Sequence, residues 1–129
     1  MKKLLIIPML FACYMVMGQD ASKIIGTPYQ LNGIEVARND FPNKQNWSDA
    51  KAKCNKLGEG WRLPTQDESI ILYQNAAKIG GFEDNNPYDS EYWSSKEYGT
   101  NAGSRNMFSG GITFGSKRDT YNVRAVRTK

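Results

Sequence analysis

Apolar positions recur along this chain in two rhythms, and the switches between them mark its elements. Between Lys23 and Arg38, Ile24, Ile25, Tyr29 and Leu31 lie on one side of Asn32-Gly33, and Ile34, Val36 and Ala37 lie on the other. Asn-Gly is the strongest short-range hairpin signal because both residues tolerate positive φ. A β-hairpin is therefore predicted here. From Asn46 the spacing lengthens to three and four residues, and Trp47, Ala50, Cys54 and Leu57 form one helical stripe. Asn46 can cap this helix, Asp49 complements its N-terminal dipole, and Gly58 ends it. A second helix opens on the capping box Thr65-x-x-Glu68. It runs through Ile70, Ile71, Leu72, Tyr73, Ala76, Ala77 and Ile79 and stops at Gly80-Gly81.

Beyond that point the rhythm shortens again. Phe82 to Asp89 is rich in turn formers and reads as a loop. Tyr92 to Ser95 reads as a short strand, and Glu97 to Gly103 as a second polar loop. Arg105 to Phe108 and Ile112 to Phe114 flank Ser109-Gly110-Gly111, a second hairpin. Tyr121 to Arg127 alternates in part and reads as a closing strand. Two strands, two helices and then several strands make an α+β order. Two helices are expected to pack on a small mixed or antiparallel sheet with long loops.

The first residues follow a different logic. Lys2 and Lys3 precede an apolar run from Leu4 to Val16, with Val16 and Gly18 as small residues before the polar Gln19 and Asp20. That is the order of a signal peptide. The run is shorter than the roughly 18–20 residues a membrane span needs. The expectation is a signal peptide over 1–18, cleavage after Gly18, a single domain over 19–129, export, and no membrane span after processing. A membrane anchor or a buried first strand is one competing reading of this run; lipid attachment at Cys13 is a second, since Leu10, Phe11 and Ala12 partly resemble a lipobox. Bulky Phe11 and the apolar run past Cys13 favour cleavage after Gly18.

Composition then narrows the classes. Loss of Lys2 and Lys3 takes the 17 basic residues to 15 against 13 acidic ones, a net charge of +2. Such a weak, scattered charge gives no reason to expect nucleic acid. The chain has no His, which removes His-based triads and most catalytic zinc sites. Of its two cysteines only Cys54 would survive cleavage, so no intradomain disulfide or cysteine-pair redox centre is expected.

Four blocks carry a family likeness. They are Trp47-x-x-Ala50-x-x-x-Cys54, Leu57-Gly58-x-Gly60-Trp61-Arg62-Leu63-Pro64-Thr65-x-x-Glu68, Tyr92-Trp93-Ser94-Ser95-x-Glu97-Tyr98, and Val123-Arg124-Ala125-Val126-Arg127. In this order they resemble a bacterial family of small exported domains with a C-type-lectin-like fold. That family includes the C-terminal domain of a collagen-like adhesin and is distantly related to formylglycine-generating enzymes. The resemblance spans about residues 24 to 127. It implies the fold, and glycan binding or adhesion by analogy only. The chain departs from the animal lectins in lacking E-P-N, Q-P-D and W-N-D calcium motifs and their disulfides; Asn86-Pro87 is the nearest fragment. It departs from the enzymes in lacking their two cysteines.

The candidate site residues follow. Tyr88, Tyr92, Tyr98, Asn85, Asn86, Asn101 and Arg105 are the expected ligand surface, because Tyr and Asn on loops offer flat contact area and adaptable hydrogen bonds. Glu83, Asp84 and Asp89 gather oxygen donors in one loop, and calcium takes about six to eight oxygens. Their spacing fits no EF-hand, so a solvated acidic loop is the plainer reading. Trp47, Trp61 and Trp93 are expected in the core, Cys54 as a small buried hydrophobe, and Arg62 beside a buried carboxylate or carbonyl. No catalytic residue is assigned, since Glu91 and Glu97 have no supporting motif, and no cofactor is expected beyond possible calcium. The expected function is an exported module that binds a glycan or a protein. The alternative is an envelope assembly protein acting through homo-oligomerisation.

Overall fold

Side-chain caps fix where both long helices begin. In the computed structural model, which describes residues 21–129, Asn46 Oδ1 accepts from the Asp49 N–H at 2.9 Å and starts α1 (Trp47–Lys56). At α2 (Gln66–Gln74) the capping box is complete: Glu68 N–H donates to Thr65 Oγ1 at 3.1 Å, and Thr65 N–H donates to Glu68 Oε1 at 2.9 Å. The expected second helix breaks at Asn75, and a single further turn, α3 (Ala76–Ile79), follows. The N-terminal segment, Cys13 and the cleavage point after Gly18 lie outside the described residues.

The strands form two sheets. The first has the order β1-β2-β7-β3, from β1 (Tyr29–Leu31), β2 (Ile34–Val36), β7 (Val126–Thr128) and β3 (Trp61–Arg62). The second is β4-β5-β6, from β4 (Glu91–Tyr98), β5 (Asn101–Asn106) and β6 (Ile112–Ser116). Among the described residues every strand pairing is antiparallel, with one isolated parallel bridge between Tyr92 and Asn122.

The first hairpin turns at Asn32-Gly33 as expected, but only Gly33 has positive φ. Ile24 and Ile25 lie in a helical turn over 21–25 rather than in a strand, and Gly26 at φ +58 redirects the chain from it into β1. The expected polar loop Glu97 to Gly103 is instead the tip of a long hairpin, with β4 running on through Tyr98 and Gly99 at φ +59 in the turn. A strand needs only a backbone partner, and β5 supplies one in the register Glu97↔Ala102 and Tyr98↔Asn101. β5 ends at Asn106, whose Oδ1 accepts from the Phe108 and Ser109 N–H groups and starts the turn into β6. The closing strand is regular only over Val126–Thr128; Tyr121 forms an isolated bridge with Gln45.

Apolar side chains fill both sides of the first sheet. On one side Ala37, Trp61 and Ala125 meet Trp47, Ala50 and Cys54 of α1, together with Trp93 and Ala102 of the second sheet. On the other, Ile34, Val36 and Val126 meet Leu72, Ile79, Tyr92 and Met107. All three tryptophans are buried. Trp47 donates from Nε1 to the Ser94 carbonyl at 2.9 Å, and Trp93 from Nε1 to the Gln45 carbonyl at 2.7 Å. Arg62 clamps Glu68 with both terminal nitrogens, at 2.7 and 2.9 Å.

A buried polar network joins the ends of these layers. Arg124, 1% exposed, donates from Nε to Asp40 at 2.7 Å and from Nη1 to the carbonyls of Ala37 and Gly80 at 3.2 Å each. Its guanidinium lies 3.9 Å from the centre of the Phe82 ring. The Tyr92 hydroxyl donates to the other oxygen of Asp40. Burial raises the Asp40 pKa even against the opposing pull of Arg124.

Candidate functional site

The second sheet positions the exposed chemistry. At its buried end, Tyr92 pairs with Arg105 across β4 and β5, and Arg105 pairs across β5 and β6 with Ile112, which is itself exposed and lies two residues before Phe114 on the same face. Arg105 reaches into the first turn of α2, donating to Ser69 Oγ at 3.1 Å and to the Gly110 carbonyl at 2.9 Å. A register irregularity between Trp93 and Glu97 separates this end from the far one. Beyond it β4 is exposed from Ser95 to Tyr98.

At that far end one face carries aromatic side chains over a glycine. Gly103 sits opposite Phe114, and a Cβ on Gly103 would lie 3.4 Å from the Phe114 ring and 2.9 Å from Ser94 Oγ. The missing side chain lets Phe114 lie across β5 towards Tyr98. The two rings meet edge to face, 4.6 Å between centroids and 79° between planes. Lys96 Nζ lies 5.3 Å from the Tyr98 ring centre. Tyr98 is 52% exposed, Phe114 45% and Ile112 43%. Exposed Asn101 pairs with Tyr98 on the same face. This is an apolar patch with a cationic and an amide rim.

The structure therefore divides the expected ligand surface into three. Tyr98 and Asn101 stand in the patch. Tyr92 and Arg105 do not face solvent: Tyr92 is 2% and Arg105 6% exposed. The Tyr92 hydroxyl is occupied by Asp40 and by the Glu83 N–H, and burial raises its pKa. Arg105 is likewise committed to carbonyl and hydroxyl acceptors within the fold. Asn85, Asn86 and Tyr88 stand at the opposite end of β4 from Tyr98, roughly 20 Å away at about 3.3 Å per strand residue. Tyr88 there is 89% exposed. Asn86 is spent on the loop itself, accepting from the Tyr88 and Asp89 N–H groups and donating to the Asp89 carboxylate. Phe114 and Ile112 are legible as strand residues but not as site residues, because their exposure depends on no other layer covering that face of the sheet.

The acidic candidates are also separated. Asp89 is bound by Asn86 and by Lys44 at 3.1 Å, which hold its pKa below the usual value. Glu83 contributes its backbone N–H to Tyr92. Among the described residues no three Asp, Glu, Cys or His side chains converge as metal ligands, so the carboxylates of Glu83, Asp84 and Asp89 are not brought together.

Glu91 and Glu97 are six residues apart along one strand, roughly 20 Å at about 3.3 Å per residue, and each is engaged by different partners. Glu91 takes hydrogen bonds from Ser104 Oγ at 2.5 Å, Asn106 Nδ2 at 2.7 Å and Thr113 Oγ1 at 2.8 Å, tying the three strands of the sheet together. Glu97 is paired with Lys117 at 2.6 Å, which lowers its pKa. Where α1, β3 and the start of α2 meet there is a cleft of about 160 Å³ lined by Lys51, Asn55, Arg62, Leu63, Thr65 and Ser95. That is below the roughly 300 Å³ of small-molecule sites, and the larger neighbouring groove of about 640 Å³ along Gly58, Glu59, Gly60 and Trp61 is shallow and open to solvent. The exposed sheet face is the better candidate.

Three comparisons place this geometry. Botrocetin is similar at a TM-score of 0.59 and 9% identity, over 81% of this chain and 98% of that one. A chain of the complex between botrocetin and the von Willebrand factor A1 domain mutant I546V is similar at 0.56 and 9%, with the same coverage. EMS16, an antagonist of the collagen receptor integrin α2β1, is similar at 0.55 and 12%, over 79% of this chain and 97% of that one. At such identities the likeness shows the fold, which is C-type-lectin-like. No curated protein matches the chain. Among the described residues no helix is long and apolar enough to cross a membrane. The profile of the Lcl C-terminal domain matches residues 25–127, and the chain belongs to the Lcl C-terminal domain family.

Proposed function

We propose that the chain is an exported, non-catalytic binding module that docks another protein at the cell surface or in the periplasm through the exposed face of β4, β5 and β6. The observation that carries this reading is the Tyr98–Phe114 pair, held half exposed beside Ile112 on a rigid sheet. Exposed aromatics on a fixed scaffold supply contact area at low entropic cost. A sugar ring stacks best on one open aromatic face. Here the rings stand at 79° with an aliphatic neighbour, which suits protein side chains better. Two of the similar structures bear protein partners in their descriptions, the von Willebrand factor A1 domain and the integrin α2β1 receptor. Export rests on the residue order of positions 1–18.

The test is site-specific photo-crosslinking in intact producing cells, with the reactive residue at position 98 or, for comparison, at 88. A defined protein adduct from 98 and not from 88 is expected, and a glycan array should stay silent with calcium or chelator. Array binding abolished by Tyr98→Ala would replace the protein partner with a glycan. Adducts from 88 alone would move the site to the loop of Asn85, Asn86 and Tyr88.

A further inference from the structure

The outer edge of β6 presents backbone groups that β5 does not use. Asn106 N–H donates to the Gly111 carbonyl at 2.9 Å, and Lys117 N–H donates to the Thr100 carbonyl at 2.9 Å. These two bonds fix the alternation: Gly111, Thr113, Gly115 and Lys117 exchange hydrogen bonds with β5 and its turn. Ile112, Phe114 and Ser116 then turn their N–H and C=O groups outward. Among the described residues, the Ser116 carbonyl is the one of these with a backbone partner, the Asp119 N–H at 2.8 Å. The segment Ile112–Ser116 holds no charge and no proline. Those are the devices with which native edge strands prevent pairing.

We propose that this edge is a two-fold interface with a second copy of the chain, made by antiparallel pairing of β6 with its counterpart and centred on Phe114. Centring there pairs all three outward-facing residues: Phe114 meets the Phe114 of the second copy, and each Ile112 meets a Ser116. Charge selects the same arrangement. Lys117 falls opposite Gly111 and Arg118 opposite Gly110, so the cations meet positions without side chains. A parallel pairing would set Lys117 against Lys117 and Arg118 against Arg118. The product is a continuous six-stranded sheet, with both Tyr98–Phe114 pairs on one face. Pairing runs in the plane of the sheet and leaves the outward ring surfaces open, so the interface stands independently of the docking role given to those rings. One short strand and three side chains per copy fall well short of the ~800 Å² per partner of a standard interface. The association is accordingly micromolar or weaker.

The experiment is sedimentation velocity from micromolar to millimolar concentration, on protein purified from cells that produce the full chain. The parent is expected to pass from monomer to dimer. Phe114→Lys and Phe114→Glu should each weaken self-association by about tenfold or more, because residue 114 meets its own copy and like charges oppose. An equimolar mixture of the two should restore the dimer. Circular dichroism identifies a variant that fails to fold. Ile112→Pro then serves in its place, since it removes an outward N–H at the start of the strand, where proline is tolerated. A parent that stays monomeric at millimolar concentration, a trimer or larger assembly, a dimer that both charged variants retain, or a mixture that stays monomeric overturns the proposal.

Discussion

At the residue scale, Glu68 shows how one carboxylate can serve two elements. Its Oε1 accepts from Thr65 N–H and from Arg62 Nη1, and its Oε2 accepts from Arg62 Nη2. The bond from Arg62 lowers its pKa from 4.5, burial opposes this, and the Thr65 N–H adds to the lowering. A carboxylate with a lowered folded-state pKa binds fewer protons folded than unfolded. Its stabilisation is therefore full above pH 4.5 and is lost as pH falls through the lowered value. Glu68→Gln is expected to cost about 1 kcal/mol near neutral pH, since the pair is partly exposed and a cap is weakened. Urea titrations of parent and variant should converge in acid; a gap that stays constant with pH would assign the loss to packing instead. The capping box of Thr65 and Glu68 is readable because its signal is local, and Arg62 is readable as an arginine seeking a carboxylate or carbonyl; that Glu68 is its partner is seen only in the fold. The site was less readable. Tyr92 and Arg105 share the residue types of a ligand surface with Tyr98 and Asn101. What separates them is α2 and the Asp40–Arg124 network lying over one end of the sheet, contacts 36 and 52 residues apart in sequence.

At the element scale, the turn between β5 and β6 is fitted against α2. Gly110 has φ +82, and a Cβ there would lie 2.7 Å from Cε2 and Cζ of Tyr73. Gly33 in the first hairpin has φ +80 with nothing within 4 Å. Alanine at either position carries the strain of positive φ, of order 1 kcal/mol. Gly110→Ala must also displace the Tyr73 ring, for a total of about 2–3 kcal/mol. Comparing the two variants by urea denaturation isolates the fit of the turn to the helix; equal losses would show that Tyr73 simply swings away. The same contrast explains which elements the sequence announces. The helices and the first hairpin carry their signals locally, in Asn46, Thr65, Glu68 and Asn32-Gly33. β4 beyond Ser95 and the start of β5 are polar strands stabilised by each other's backbone, so period-two alternation is absent and the segment looks like a loop. Ile24 and Ile25 mislead in the opposite way, because apolar residues before a hairpin fit a strand until Gly26 turns the chain.

For the whole molecule, a chain without His and with one free cysteine among its described residues holds its two sheets together by packing and by hydrogen bonds such as those of Trp47, Trp93 and Tyr92. Cys54 marks where that packing is shared. It lies on α1 with no exposed surface, in the cluster that joins Trp61 of the first sheet to Trp93 and Ala102 of the second. Burial pushes its thiol up to about 12, so almost none is thiolate near neutral pH, and thiolate is the reactive form. Alkylation therefore requires that α1 leave both sheets, and in a cooperative fold that happens only by global unfolding. The prediction is that alkylation of the Cys54 peptide, followed by mass spectrometry in rising urea, accelerates with the same denaturant dependence as equilibrium unfolding followed by tryptophan fluorescence. A much shallower dependence would mean that α1 detaches by itself. The sheet bearing Tyr98 and Phe114 would then be a separable unit, and the rigidity on which its aromatic face depends would have to come from the hydrogen bonds that Glu91 makes across its three strands.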